Sequence, residues 1–153
     1  MNDRDFMPHL TVAAVVEDAG RYLVVREYIQ EEEKINNPAG HIEDGESPVN
    51  AVIREVREET GYRFEPEALG GVYLWRRPEN GETFLRINII GHCLEHDPDA
   101  SLDEGIIGPD WLSLEQLDAP GVPLRSPLVV RSFIEHRAGI RYPLDVISTL
   151  IDL

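Results

Sequence analysis

The 153-residue chain holds one cysteine, Cys93, and one lysine, Lys34. A lone cysteine excludes an internal disulfide and a cysteine-rich metal cluster, and it reads as a small buried hydrophobe in a reducing cytoplasm. Positive charge is scarce: 14 Lys and Arg face 29 Asp and Glu, for a net charge of −15. So acidic a surface repels phosphate polymers and anionic lipid, which argues against nucleic-acid and membrane partners. An anionic small molecule must instead meet local arginines or divalent cations. No apolar run reaches the ~18 residues of a membrane span, and the polar Met1–Asp5 start lacks the apolar stretch of a secretory leader. Repeats, low-complexity tracts and linkers are also missing, so residues 1–153 read as one domain. Nothing in the sequence decides between monomer and homodimer.

Two β-rich runs, His9–Glu17 and Arg21–Glu27, flank Asp18-Ala19-Gly20 as a hairpin. The acidic run Glu31–Glu33 reads as a solvated loop. Asn36-Asn37-Pro38-Ala39-Gly40 then punctuates the chain. From Pro48 to Thr60 the period turns helical, with Ser47 as N-cap, Pro48 at the first position and Gly61 just past the end. Val49, Val52, Ile53 and Val56 form its apolar stripe. Strands are expected over Gly71–Arg77 and Thr83–Leu94 around an Asn80-Gly81 turn, followed by a long acidic loop over His96–Gly108. A short strand ending at Trp111-Leu112, a helical turn over Leu114–Leu117 and a helix over Ser126–Arg137 complete the chain. This order predicts a mixed α/β sheet with helices packed on it.

The helix gathers Glu55, Glu58 and Glu59 in an arc of roughly 100° beside the apolar stripe, at about 100° per residue. Like charges at i, i+3 and i+4 repel, and hard divalent cations want such oxygen ligands. A solvated acidic face, neutralised by Arg54 four residues before Glu58, accounts for the helix equally well. The preceding segment separates the two readings. Gly40, Glu46, Arg54-Glu55, Val56, Glu58-Glu59 and Gly61 stand in the spacing G-x5-E-x7-R-E-U-x-E-E-x-G, with U aliphatic. This pattern resembles the Nudix hydrolase signature at every fixed position. It departs only at Tyr62, where the family usually has an aliphatic residue.

The resemblance implies a Nudix fold, an α/β/α sandwich with a mixed sheet and a loop–helix–loop box, and a phosphoric anhydride hydrolase using Mg²⁺, with Mn²⁺ as a substitute. It makes Glu55, Glu58 and Glu59 metal ligands, with the Gly40 carbonyl as a further one, and Glu46 and Arg54 a box-orienting pair. Glu55 is the first choice for general base and Glu104, beside Asp103 in the acidic loop, the second. Glu58 shares the catalytic cluster. Flanking segments from about Pro8 to Ile147, among them Asn37-Pro38-Ala39-Gly40-His41 and Leu124-Arg125-Ser126-Pro127-Leu128, resemble a bacterial phosphatase branch of the family. That branch implies orthophosphate release from thiamine diphosphate, its pyrimidine diphosphate precursor and nucleoside di- and triphosphates. Two alternatives stand beside it. One is a pyrophosphohydrolase for oxidised dNTPs, dinucleoside polyphosphates or sugar nucleotides. The other is a non-catalytic binding module, which the intact box argues against.

Arg26, Arg76, Arg77 and Arg86 read either as phosphate clamps or as surface counter-ions. Trp75 is equally balanced between stacking on a ring and core packing, while Tyr73 and Phe84 read as core. His41 lies in the box loop at a variable position and takes no role, and His92, His96 and His136 lack ligand spacing.

Overall fold

In the computed structural model, which describes residues 5–151, the first hairpin forms where the Asp18-Ala19-Gly20 signal lies. The Met1–Arg4 part of the polar start lies outside the described residues. Strand β1 (His9–Asp18) turns through Ala19 and Gly20, at φ 51° and 80°, into β2 (Arg21–Ile29). Positive φ at both central residues matches the right-handed twist of the flanking strands.

The acidic run departs from expectation. Gln30 and Glu31 make a left-handed turn, and Glu32–Asn36 forms strand β3, antiparallel to β2 from Ile29↔Glu32 to Val25↔Asn36. Backbone pairing holds this edge strand. Its charges stay at the surface, where Glu33 meets Arg26 and Glu32 meets Lys34.

Strand β4 (Ala39–His41) leads into α1 (Pro48–Thr60), capped as expected: Ser47 Oγ accepts from Asn50 N–H, and Gly61 sits at φ 75° with its N–H on the Arg57 carbonyl. Strand β5 runs over Tyr62–Arg76, nine residues ahead of the predicted start, and pairs with β6 (Thr83–His96) from Tyr62↔His96 to Arg76↔Thr83. Pro66, the Gly70-Gly71 pair and three register shifts hide its first half from a period-2 reading. Strand β7 (Ile106–Ser113), turn helix α2 (Leu114–Leu117), helix α3 (Leu128–Arg137) and the short β8 (Tyr142–Pro143) follow. The expected acidic loop therefore shrinks to residues 97–105, starting one residue late and ending three early, and α3 begins two residues late.

The sheet order is β3-β2-β1-β6-β5-β8, with β1 and β6 parallel; β4 pairs with β1 and β7 with β2. Alternate residues of β1 serve two cores. Val12, Ala14 and Val16 pack with Ala51, Val52 and Val56 of α1, and Val15 packs with Leu114, Leu117, Val129 and Phe133 of α2 and α3. Helices thus cover both faces, an α/β/α sandwich. Fully buried Val52 and Val56 each contribute about 1.5–3 kcal/mol to seating α1. Strands β1 and β2 pair only near their turn, at Glu17↔Tyr22 and Asp18↔Arg21. Beyond it they part, and β4 takes the place beside β1.

Candidate active site

Helix α1 presents its carboxylates to β4 and to the loop before β7. Oxygens of Glu55, Glu58 and Asp103 lie within 4.8 Å of one another. The loop is held by its backbone: Asp103 N–H donates to the Glu58 carbonyl at 3.0 Å, and Ile106 N–H closes a turn onto the Asp103 carbonyl at 3.1 Å. The loop residue that joins the helix glutamates is therefore Asp103, while the neighbouring Glu104 is exposed and outside the group. Glu59 is only 6% exposed and lies beside this group, its Oε1 accepting from Ala39 N–H at 2.8 Å. A buried backbone donor thus holds one oxygen of the third helix glutamate, while the other two meet Asp103.

Arg54 ties the box together. Its Nε and Nη2 hold the two Glu46 oxygens at 2.7 and 2.9 Å, the bidentate fork that guanidinium suits. Nη1 reaches Glu55 at 2.9 Å and Glu58 at 3.1 Å, and Nη2 donates to the His41 carbonyl at 2.9 Å. Hydrogen bonding to Glu46 raises the Arg54 pKa, and the same bond lowers that of Glu46.

Burial pushes the Glu55 carboxyl up to about 7; Arg54 opposes this, and Glu58 and Asp103 add to it. Burial likewise pushes Glu59 up to about 9, against the Ala39 N–H and with the charges of Glu27, Glu55 and Asp103. Glu58 is raised for the same first reason. Glu55, Glu58 and Asp103, with one arginine beside them, bring together oxygens whose shared charge a divalent cation would neutralise. An all-oxygen donor set is the kind that Mg²⁺ and Mn²⁺ take.

A pocket of about 200 Å³ adjoins this cluster, lined at one end by Ala39, Gly40 and His41. Trp75, Arg77 and Phe84 form its aromatic and cationic wall. Arg77 lies 4.8 Å from the Phe84 ring centre and 5.9 Å from that of Trp75. Arg86, 6% exposed, donates to Asn37 at 2.8 Å and Asn88 at 3.2 Å, and burial lowers its pKa to about 10. Phe84, expected in the core, is half-buried and faces the pocket.

Of the four arginines singled out from the sequence, Arg77 and Arg86 line the pocket. Arg26 does not: its guanidinium is held by Asp110 at 2.9 and 3.1 Å and by Glu33 at 3.2 Å, the geometry of a counter-ion. Arg76 is exposed and bonds Thr83 instead. Tyr73 donates to Glu135, and His136 meets the Tyr22 hydroxyl at 2.8 Å; both serve the packing of α3. His96 meets the Thr60 carbonyl at 3.0 Å and His92 meets Glu67. Burial raises the Cys93 thiol to about 12, the inert state expected of it.

Among the pocket residues that escaped the sequence reading are Glu27, Asn36 and Arg125. Glu27 carried a signal, since it lies two positions beyond Val25 and so continues a buried face with a carboxylate. Arg125 reaches the pocket because residues 123–125 run beside β3, with Arg125 N–H on the Ile35 carbonyl at 2.8 Å.

Comparison with known proteins agrees with this geometry. The family profile described as NUDIX domain matches residues 7–133. The chain is 38% identical to phosphatase NudJ of Escherichia coli K12 over 143 residues, 94% of this chain and 92% of that protein. A NUDIX hydrolase from Nitrosomonas europaea superposes with a TM-score of 0.92 at 42% identity, covering 96% of this chain and all of the other. The MutT NUDIX hydrolase from Burkholderia pseudomallei shares the fold, with a TM-score of 0.70 at 24% identity over 84% of this chain and 98% of its own. Matched by the family profile over residues 7–133 and 38% identical to a phosphatase over nearly its whole length, the chain belongs to the NUDIX family and is a phosphohydrolase.

Proposed function

We propose that this single-domain enzyme, working in the cytoplasm, releases orthophosphate from small organic di- and triphosphates in a reaction dependent on Mg²⁺. Thiamine diphosphate, its pyrimidine diphosphate precursor and nucleoside di- and triphosphates are the foremost substrates. The convergence of Glu55, Glu58 and Asp103 beside a pocket with arginine and aromatic walls carries this reading. Likeness to phosphatase NudJ over nearly the whole chain supports the substrate class.

In this reading Glu55, Glu58 and Asp103, with Glu59 and the Gly40 carbonyl, hold the divalent ion. When bound, the ion supplies Lewis-acid polarisation of the phosphate and eases deprotonation of water. Glu55, kept ionised by the bound cation, takes the proton of the attacking water. Glu104, exposed on the same loop as Asp103, is the other candidate for that proton. Arg54, anchored by Glu46, fixes the direction of Glu55 and Glu58. Arg86, Arg77 and Arg125 offset phosphate charge, and Trp75 offers a face to the organic group. Most of the rate enhancement comes from this positioning and charge, as in phosphoryl transfer generally.

A phosphate-release screen tests the reading. Thiamine diphosphate, its pyrimidine precursor, GTP, GDP and a dinucleoside polyphosphate are each incubated with enzyme and Mg²⁺, with and without added pyrophosphatase. Orthophosphate appearing directly from the first four supports attack at the terminal phosphorus. Signal only after pyrophosphatase contradicts it and assigns internal attack.

A further inference from the structure

The pocket carries two neighbouring hydrogen-bond acceptors, and one of them has no partner in the protein. Asn36, the last residue of β3, is 9% exposed and lines the pocket. Among the described residues its Oδ1 is the one buried side-chain nitrogen or oxygen without a hydrogen-bond partner. A buried acceptor left unpaired costs about 1–3 kcal/mol, so an orphan facing a cavity marks a place where a ligand donor belongs. Glu27, also 9% exposed, lines the same pocket from β2. The strand register sets Val25 opposite Asn36 and Glu27 opposite Lys34. Glu27 and Asn36 are therefore diagonal neighbours on one face of the ladder, the spacing at which two side chains reach a common group.

The chemistry of this corner is opposite to that of the walls. A carboxylate and an amide oxygen repel phosphate, which belongs with the arginines and the Gly40 end. They attract N–H donors. The burial that raises the Glu27 pKa is opposed by the charges of Arg125 and Arg86 and by a hydrogen bond from the Asn36 side chain, so the two residues form one acceptor corner beside positive charge. Trp75 and Phe84, with ring centres 5.8 Å apart and planes tilted by 37°, set an aromatic wall alongside, in which Phe84 is already packed by His9 and Arg77 and Trp75 is left to meet a ligand. A planar ring fits that wall, and an exocyclic amine on it brings two hydrogens for two acceptors.

We infer that Asn36 and Glu27 are specificity-determining residues that select an amino-substituted nitrogen heterocycle, its exocyclic –NH₂ donating one hydrogen to Asn36 Oδ1 and the other to the Glu27 carboxylate. The inference rests on the proposed hydrolysis of organic phosphates and narrows its substrates. Rings that carry a carbonyl at the same position set oxygen against oxygen and are rejected.

Cytosine and uracil nucleotides differ in this group, so the test is kcat/KM for CTP and UTP in wild-type enzyme and in Asn36→Leu. The wild type is expected to prefer CTP by about tenfold or more, and Asn36→Leu to bring the ratio to about one. Glu27→Gln provides the same comparison should Asn36→Leu fail to fold. Binding of CMP and UMP to wild-type protein in chelator reads the pocket without any metal or turnover, and tighter CMP binding is expected. A wild-type ratio near one, a ratio unchanged in the variants, or equal affinity for CMP and UMP overturns the inference. Tighter CMP binding with no hydrolysis of either triphosphate leaves it standing and sinks the hydrolytic reading for nucleotides instead.

Discussion

Gly40 lies so close to Glu55 that a β-carbon at residue 40 would fall 2.2 Å from the Glu55 Cδ and Oε1. The glycine on β4 thus sets how far the carboxyl on α1 can advance, while Arg54 Nη1 holds it from the other side at 2.9 Å. A methyl group here meets the end of a side chain and not the backbone, so the chain folds and the carboxyl moves. Gly40→Ala is expected to lower kcat by about 10²-fold, the usual result of an ångström-scale displacement of a reacting group. Its Tm should stay within a few degrees of wild type. Steady-state kinetics and calorimetry check this, and full activity would contradict the role given to the contact.

The loop carboxylates separate in a second comparison. Glu55→Gln is expected to lose about 10³-fold in kcat with a normal melting transition. Asp103→Asn should lose more activity than Glu104→Gln, because only Asp103 shares the cluster. The reverse order, measured under saturating Mg²⁺, would move the loop's contribution to Glu104.

Arg54 cannot be replaced by lysine, since one ammonium cannot fork onto Glu46 while reaching Glu55 and Glu58. Arg54→Lys is expected to cost about 2–3 kcal/mol, a Tm lower by roughly 5–10 °C, and to lower activity as well. Thermal melts in chelator measure the first effect apart from metal binding. An unchanged Tm would mean that the pair is not needed to hold the box.

The high carboxyl pKa values imply a pH dependence of stability. Glu55 and Glu59 titrate at about 7 and about 9 in the folded metal-free chain, against a reference of 4.5. Above the reference value the unfolded chain has released protons that the folded one keeps, so stability falls as pH rises from there through the folded values. In chelator, Tm is expected to drop between pH 5 and pH 9, and Glu59→Gln, with no proton to lose, to drop less. Added Mg²⁺ should restore Tm at the upper end and do little at pH 5. A Tm that rises across this range in chelator would contradict the assignment.

Much of this was legible in the residues, and what was not has physical causes. Helix α1 announces itself because Ser47, Pro48 and Gly61 act locally, within one turn of its ends. Strand β3 does not, because the ladder to β2 that holds it is a backbone interaction blind to the Glu31–Glu33 side chains. The box spacing marked Glu55, Glu58 and Glu59 as a set, yet the Ala39 N–H that holds one Glu59 oxygen lies twenty residues back along the chain. Asp103 enters by a backbone bond to Glu58, and Arg125 by one to Ile35. Such long-range backbone contacts leave no pattern in composition or period.

The central claim is that Glu55, Glu58 and Asp103 hold the divalent ion on which hydrolysis depends. Anomalous scattering from crystals soaked in Mn²⁺ measures this directly. The account predicts a peak among those three carboxylates that is lost in Glu58→Gln along with Mn²⁺-supported phosphate release. A peak elsewhere, or undiminished activity in a variant that no longer shows the peak, would contradict it.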